Sequence, residues 1–115
     1  MSDLARGLPI KTVPQAALAA SVVALAAPCI VYGISGYNSN AAAQFIQLHD
    51  SATLPANAAV PAFNMTVAAT ANFSIDFGVY GMPFLLGAVA CNSSTAPTKT
   101  IGAADCQFFL RLTPA

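Results

Sequence analysis

From Cys29 onward the apolar positions fall in short runs, many with a period of two, separated by turn-forming residues. Residues 62–67 (AFNMTV) place Phe63, Met65 and Val67 on one side. Phe73, Ile75 and Phe77 make a second stripe, with Asn72, Ser74 and Asp76 opposite. A period of two marks a strand with one covered face. Residues 43–49 (AQFIQLH) alternate as well, with Phe45 and Ile46 breaking the phase midway. Residues 84–91 (FLLGAVAC) are apolar almost throughout, which predicts a central strand, and residues 106–112 (CQFFLRL) predict the closing one. Asn38-Ser39-Asn40, Asp50-Ser51, Pro55, Pro61, Gly78 and Gly81-Met82-Pro83 supply turn chemistry between the runs. Residues 92–104 form a long polar loop.

The stretch QAALAASVVALAAPCIVYGISG (residues 15–36) is long enough to suggest a membrane helix or a secretory leader. A spanning helix needs about 20 mostly apolar residues, and Pro28 interrupts this one. Val22, Val23, Ile30, Val31, Tyr32 and Ile34 favour strands instead. The pattern predicts strands over 19–25 and 29–37 with a bend at Ala27-Pro28. A leader would use Arg6 and Lys11 as its basic region and residues 16–27 as its apolar one. Asp3, Pro9 and Pro14 interrupt the first, and Pro28 stands where a lipoprotein signal wants a small residue before Cys29. The expectation is that the stretch is neither anchor nor leader, but the first strands of the fold. Residues 1–14, with Gly7, Pro9 and Pro14, predict an extended arm held by a neighbouring subunit. Residues 15–115 then form one all-β domain, a compact β-sandwich or jelly roll of about seven or eight short strands.

Composition adds to this picture. At 115 residues the chain is one domain by size and buries about two-thirds of its unfolded surface. It is 57% hydrophobic and 7% charged, with no Trp and no Glu. Asp3, Arg6, Lys11, Asp50, Asp76, Lys99, Asp105 and Arg111 are scattered and sum to zero net charge. That removes the basic footprint a nucleic-acid partner requires. So few charges are below the usual level for a free monomer, and point to a surface covered by other protein.

Candidate chemistry is sparse. His49, the single histidine, stands beside Asp50. A catalytic dyad or metal site needs further groups that the chain hardly supplies, so the expectation is a surface His beside an Asp that caps the following loop. No enzyme activity, cofactor or metal is expected. Cys29, Cys91 and Cys106 have no zinc-like spacing. Cys91 and Cys106 flank one loop and would come within bridging range if the last two strands were neighbours; three buried thiols are the alternative. Asn64-Met65-Thr66, Asn72-Phe73-Ser74 and Asn92-Ser93-Ser94 match the glycosylation acceptor. Two of them lie in predicted strands, and all three are taken as chance matches.

Two segments, VYGISGYNSNAAAQFIQLHDSATLPANAAVP (residues 31–61) and ACNSSTAPTKTIGAADCQFFLRL (residues 90–112), resemble small β-sandwich virion structural proteins of tailed bacteriophages. The shared features are the GISGYN and FIQLHD strands, the proline-bounded loop and the closing CNSSTAPTKT loop with its strand. The resemblance covers most of residues 29–112 and leaves the arm outside. It implies a sandwich seated on the virion and assembled in the bacterial cytoplasm. The role implied is a head decoration (cement) protein or a neck, tail or fibre component. The implied partners are the major capsid protein or other virion proteins and further copies of the chain, a homotrimer being expected; no nucleic acid or membrane partner is implied. No catalytic residues come with the resemblance. Leu4, Leu8 and Ile10 of the arm are candidate anchors. Phe108 and Phe109 face opposite ways, which leaves Phe109 as a candidate contact. Loops 51–61 and 92–104 are natural places for recognition. A secreted or surface binding module is the alternative class.

Overall fold

The computed structural model describes residues 10–96, 98–100 and 102–115. Its strands are β1 (Lys11–Ala19), β2 (Ser21–Leu25), β3 (Cys29–Asn38), β4 (Gln44–Asp50), β5 (Phe63–Val67), β6 (Ala71–Asp76), β7 (Met82–Phe84), β8 (Ala88–Ser93) and β9 (Cys106–Pro114). One sheet has the order β1-β9-β3-β6, with β7 also on β3; the other has the order β2-β8-β4-β5. Every pairing is antiparallel. With the short β7 set aside, first pairs with last, second with last but one, third with sixth and fourth with fifth. One long hairpin rolled into two facing sheets gives this order, and it is the jelly-roll arrangement.

The rolled sheets bury a common core. Val31, Ile34, Phe73, Phe84, Phe108, Leu110 and Leu112 from one sheet pack with Ile46, Leu48, Val67, Ala88 and Ala90 from the other. Each large side chain so buried stabilises the fold by about 1.5–3 kcal/mol. The Phe73 and Phe108 rings meet edge-on at 6.4 Å. Phe63 of β5 and Phe77, just past β6, meet at 5.0 Å and nearly at right angles, which joins the two sheets along one side. Within β3 the inward phase changes: Cys29 and Val31 point in, the register against β9 slips at Tyr32, and Ile34 then takes the inward side. That bulge falls where β3 exchanges β7 for β6 on its other edge. The Phe77 amide donates to the Tyr32 carbonyl there, at 2.9 Å.

The stripes over residues 62–67 and 72–77 are β5 and β6, and residues 43–49 are β4, as the alternation implies. Other boundaries differ. The stretch placed in one strand over 19–25 is the end of β1 and all of β2, with Ala20 passing from one sheet to the other. Residues 11–14, assigned to the arm, are the first four of β1 and pair with β9 from Lys11↔Leu112 onward; residues 1–9 lie outside the described residues. Pro14 is accommodated because β1 is an edge strand, where a missing amide breaks no ladder. The apolar run over 84–91 is not one strand, because the chain bends at residues 85–87 between β7 and β8. Finally, β8 and β9 sit in different sheets, so Cys91 and Cys106 are not on neighbouring strands; all three cysteines are free and buried.

Candidate functional site

The antiparallel order gathers the loops at two ends, and the ends differ in chemistry. At one end Asn38 is fully buried, its amide donating to the carbonyls of Ala68 (3.0 Å) and Ala42 (3.3 Å), while its Oδ1 accepts from the Asn40 amide (3.0 Å). The Asn40 side chain takes the Ala42 amide at 2.7 Å and donates to Asp105 Oδ2 at 2.7 Å. Ser39 bonds the Asp105 carbonyl through both its amide (2.9 Å) and its hydroxyl (2.6 Å). Three loops, after β3, after β5 and before β9, are thereby fastened to one short segment. Asn and Ser suit it because their side chains imitate backbone groups at a turn.

At the other end the loops carry apolar side chains outward. Leu85 and Leu86 are 75% and 60% exposed at the bend between β7 and β8. The bend is held by Asp50, at the end of β4. Its carboxylate accepts the amides of Leu86 (2.8 Å), Leu85 (3.0 Å) and Gly87 (3.4 Å). Burial alone would push the Asp50 carboxyl up, but these three amides favour the anion and hold it below the usual carboxylate value. The Ser51 amide donates to the Gly87 carbonyl at 3.1 Å, which ties the bend to the start of the next loop. Leu54 and Val60 of that loop, and Val79 and Tyr80 of the β6–β7 turn, are also exposed. The bend is thus a fixed apolar tip rather than a loose one.

Residues 51–62, 94–96 and 98–100 then fold together over the outer face of the β2-β8-β4-β5 sheet. The Ala58 amide donates to the Lys99 carbonyl (2.8 Å), and the Lys99 amide donates to Ala59 (2.9 Å). The Lys99 ammonium donates to the Pro55 carbonyl at 2.9 Å and its side chain is buried, the residue being 2% exposed. Beneath this strap lie Gln47, His49, Val89 and Cys91, which point away from the core yet are buried. The Gln47 amide donates to the Thr95 carbonyl (3.3 Å) and to Asn64 Oδ1 (3.2 Å), so its Oδ-equivalent oxygen, Oε1, is the acceptor for His49 Nε2 at 3.0 Å. That arrangement places a proton on His49 Nε2. Burial lowers the His49 pKa, and the Lys99 charge lowers it further. His49 is therefore not the surface residue expected from its neighbours in sequence. Asp50 does cap a loop, but a distant one rather than the loop that follows it.

The candidate site residues separate. Ile10 is exposed and lies along a groove beside Tyr32, and Phe109 is half-buried on the outer face of the first sheet. Leu4 and Leu8 lie outside the described residues. Burial pushes the Cys91 and Cys106 thiols up to about 11 and raises Cys29 as well. Among the described residues there is no group of three or more His, Cys or Asp side chains that could hold a metal, and no helix long and apolar enough to cross a membrane. The strap and the Leu85–Leu86 tip had no local signal in the sequence, although a carboxylate at the end of a strand is the kind of group that seeks unpaired amides. The chain matches no family model, no curated protein and no solved structure.

Proposed function

We propose that the chain is a non-enzymatic virion structural protein, a capsid decoration protein that binds the major capsid protein and stabilises the head. The observation that carries this reading is the Leu85–Leu86 tip, apolar, exposed and held rigid by Asp50. A loop whose backbone is fixed before binding loses less entropy when a partner covers its side chains. Covering a leucine completely is worth about 1.5–3 kcal/mol. The low charge of the chain supports the same reading, as does its resemblance to small virion sandwiches. A specific contact buries about 800 Å² on each partner, more than the tip alone, so Leu54 and Val60 are proposed to belong to it. Leu4 and Leu8 are proposed to reach a neighbouring copy as a donated strand on an open sheet edge, within a homotrimer.

Electron microscopy of particles with and without this chain tests the proposal. The expected result is density at regular sites on the head that disappears in its absence, with heads that burst at lower temperature. Density lost only from neck or tail would replace the head assignment with a tail-associated one. Particles that never contain the chain would overturn the virion role and favour a secreted binding module.

A further inference from the structure

We propose that the groove on the outer face of the β1-β9-β3-β6 sheet is a binding site for a neutral saccharide. The groove has a volume of about 420 Å³ and is lined by Ile10, Tyr32, Asp76, Gly78, Val79 and Arg111. Its floor is set by register: Arg111 of β9 lies opposite Gly33 of β3, which lies opposite Asp76 of β6. A Cβ at Gly33 would stand 2.9 Å from Arg111 Cζ, and also 2.8 Å from the Ile75 carbonyl. The glycine therefore lets the guanidinium cross β3 close to the backbone and approach Asp76. The two groups stop at 3.8 Å, Nη2 to Oδ2, which is an ion pair but longer than a hydrogen bond. Both keep hydrogen-bonding capacity for a third group. Asp76 is oriented by its other oxygen, Oδ1, which accepts the Gly78 amide at 2.7 Å. Gly78 turns there with φ of 84°, and the space beside it is open.

The ligand class follows from what such a site rewards. It offers one cation and one anion of no net charge, both partly in water, between apolar walls. An anionic ligand would gain from Arg111 and be repelled by Asp76, and a cationic one the reverse. A neutral polyol suits both, because adjacent hydroxyls can accept from the guanidinium and donate to the carboxylate. A pyranose also has an apolar C–H face, which the Tyr32 ring and the Val79 and Ile10 side chains can cover. Tyr80, 89% exposed, sits in the turn that packs on Tyr32, where a Cβ at Gly81 would lie 3.0 Å from Tyr32 Cδ1. The Leu85–Leu86 tip is tied to the other sheet through Asp50 and Ser51, so this site does not require the proposed capsid contact.

An amide NMR titration of the full chain with glucose, galactose, mannose, N-acetylglucosamine and lactose tests the assignment. At least one sugar is expected to saturate in the millimolar range, with shifts centred on Tyr32, Gly33, Asp76, Gly78 and Arg111. Asp76→Asn and Arg111→Gln should each weaken it about tenfold or more, as for a site that loses a hydrogen-bonding group. Val79→Ala, at a lining side chain that is 84% exposed, gives a second variant whose loss of affinity cannot be ascribed to unfolding. Binding should survive 0.5 M sodium chloride, since a neutral ligand releases no counter-charge. Absence of saturable shifts with every sugar, shifts centred elsewhere, or binding abolished by salt would each overturn the proposal.

Discussion

The two ends of the sandwich are built from loops of similar length and put to opposite uses. At the Asn38 end, polar side chains turn inward and bond three loops together, so little remains for a partner to engage. At the Asp50 end, one carboxylate satisfies the backbone of the bend, and the leucines it carries are left facing water. A hydrogen-bonded loop can therefore serve the fold or a surface, depending on whether its own side chains supply the bonds or a distant residue does. In the second case the side chains are free to be apolar.

Substitutions should separate the two ends. Asn38→Ala removes bonds from a fully buried site and leaves the Ala68 and Ala42 carbonyls without that donor; a loss of about 3 kcal/mol is expected in urea unfolding. Asp50→Ala at the opposite end should cost less, about 2 kcal/mol, because the freed amides are near solvent. Its distinguishing sign is faster hydrogen exchange at residues 85–87, with the Asn38 end unchanged. A loss as large as that for Asn38→Ala would mean that the tip is part of the stabilising framework.

Acid should sharpen the contrast further. The folded His49 pKa lies below its unfolded value near 6.5, so the unfolded chain binds more protons in the interval between them. Stability contributed by keeping His49 neutral is present above that interval and falls as pH drops through it. Asp50, also depressed, contributes stability above the ordinary carboxylate value that is lost at still lower pH, as the folded carboxylate takes its proton. Urea midpoints followed downward from pH 7 should decline in two stages. His49→Gln should remove the upper stage and leave the lower. The smallest change in stability is expected from Leu85→Ser with Leu86→Ser, within about 0.5 kcal/mol of the parent as for exposed sites. The same pair should abolish retention on particles, so a variant that is stable and still retained would separate the tip from the proposed docking role.

Much of this architecture is legible in the sequence where a strand has one wet face. Phe63, Met65 and Val67, then Phe73, Ile75 and Phe77, mark β5 and β6 through local alternation alone. β1 lacks that signal: Ala16, Ala17 and Ala19 have no strand preference, and the segment is a strand because β9 pairs with it. The break at residues 85–87 was hidden for a related reason, since the carboxylate that stabilises it is 35 residues away. His49 is misplaced by its sequence neighbours because a polar residue pointing away from a core is ordinarily at the surface. Here the strap over the second sheet gives that sheet a covered outer side. The turn chemistry of Asn38-Ser39-Asn40 was local and plain, whereas the Arg111, Gly33 and Asp76 alignment exists only once three strands are in register.

The place of β9 also sets an order of events. It lies between β1 and β3 in the centre of its sheet, although it follows all the other described strands in sequence and so leaves the ribosome after them. Until then the earlier strands of that sheet expose edges that no residue yet made can cover, and unpaired edges invite association with other chains. Closure must also join segments about 90 residues apart, a separation that slows folding. The nascent chain thus carries this aggregation hazard until β9 is made, and changes that stall or shorten that step should reduce soluble yield more than their effect on the finished fold would suggest.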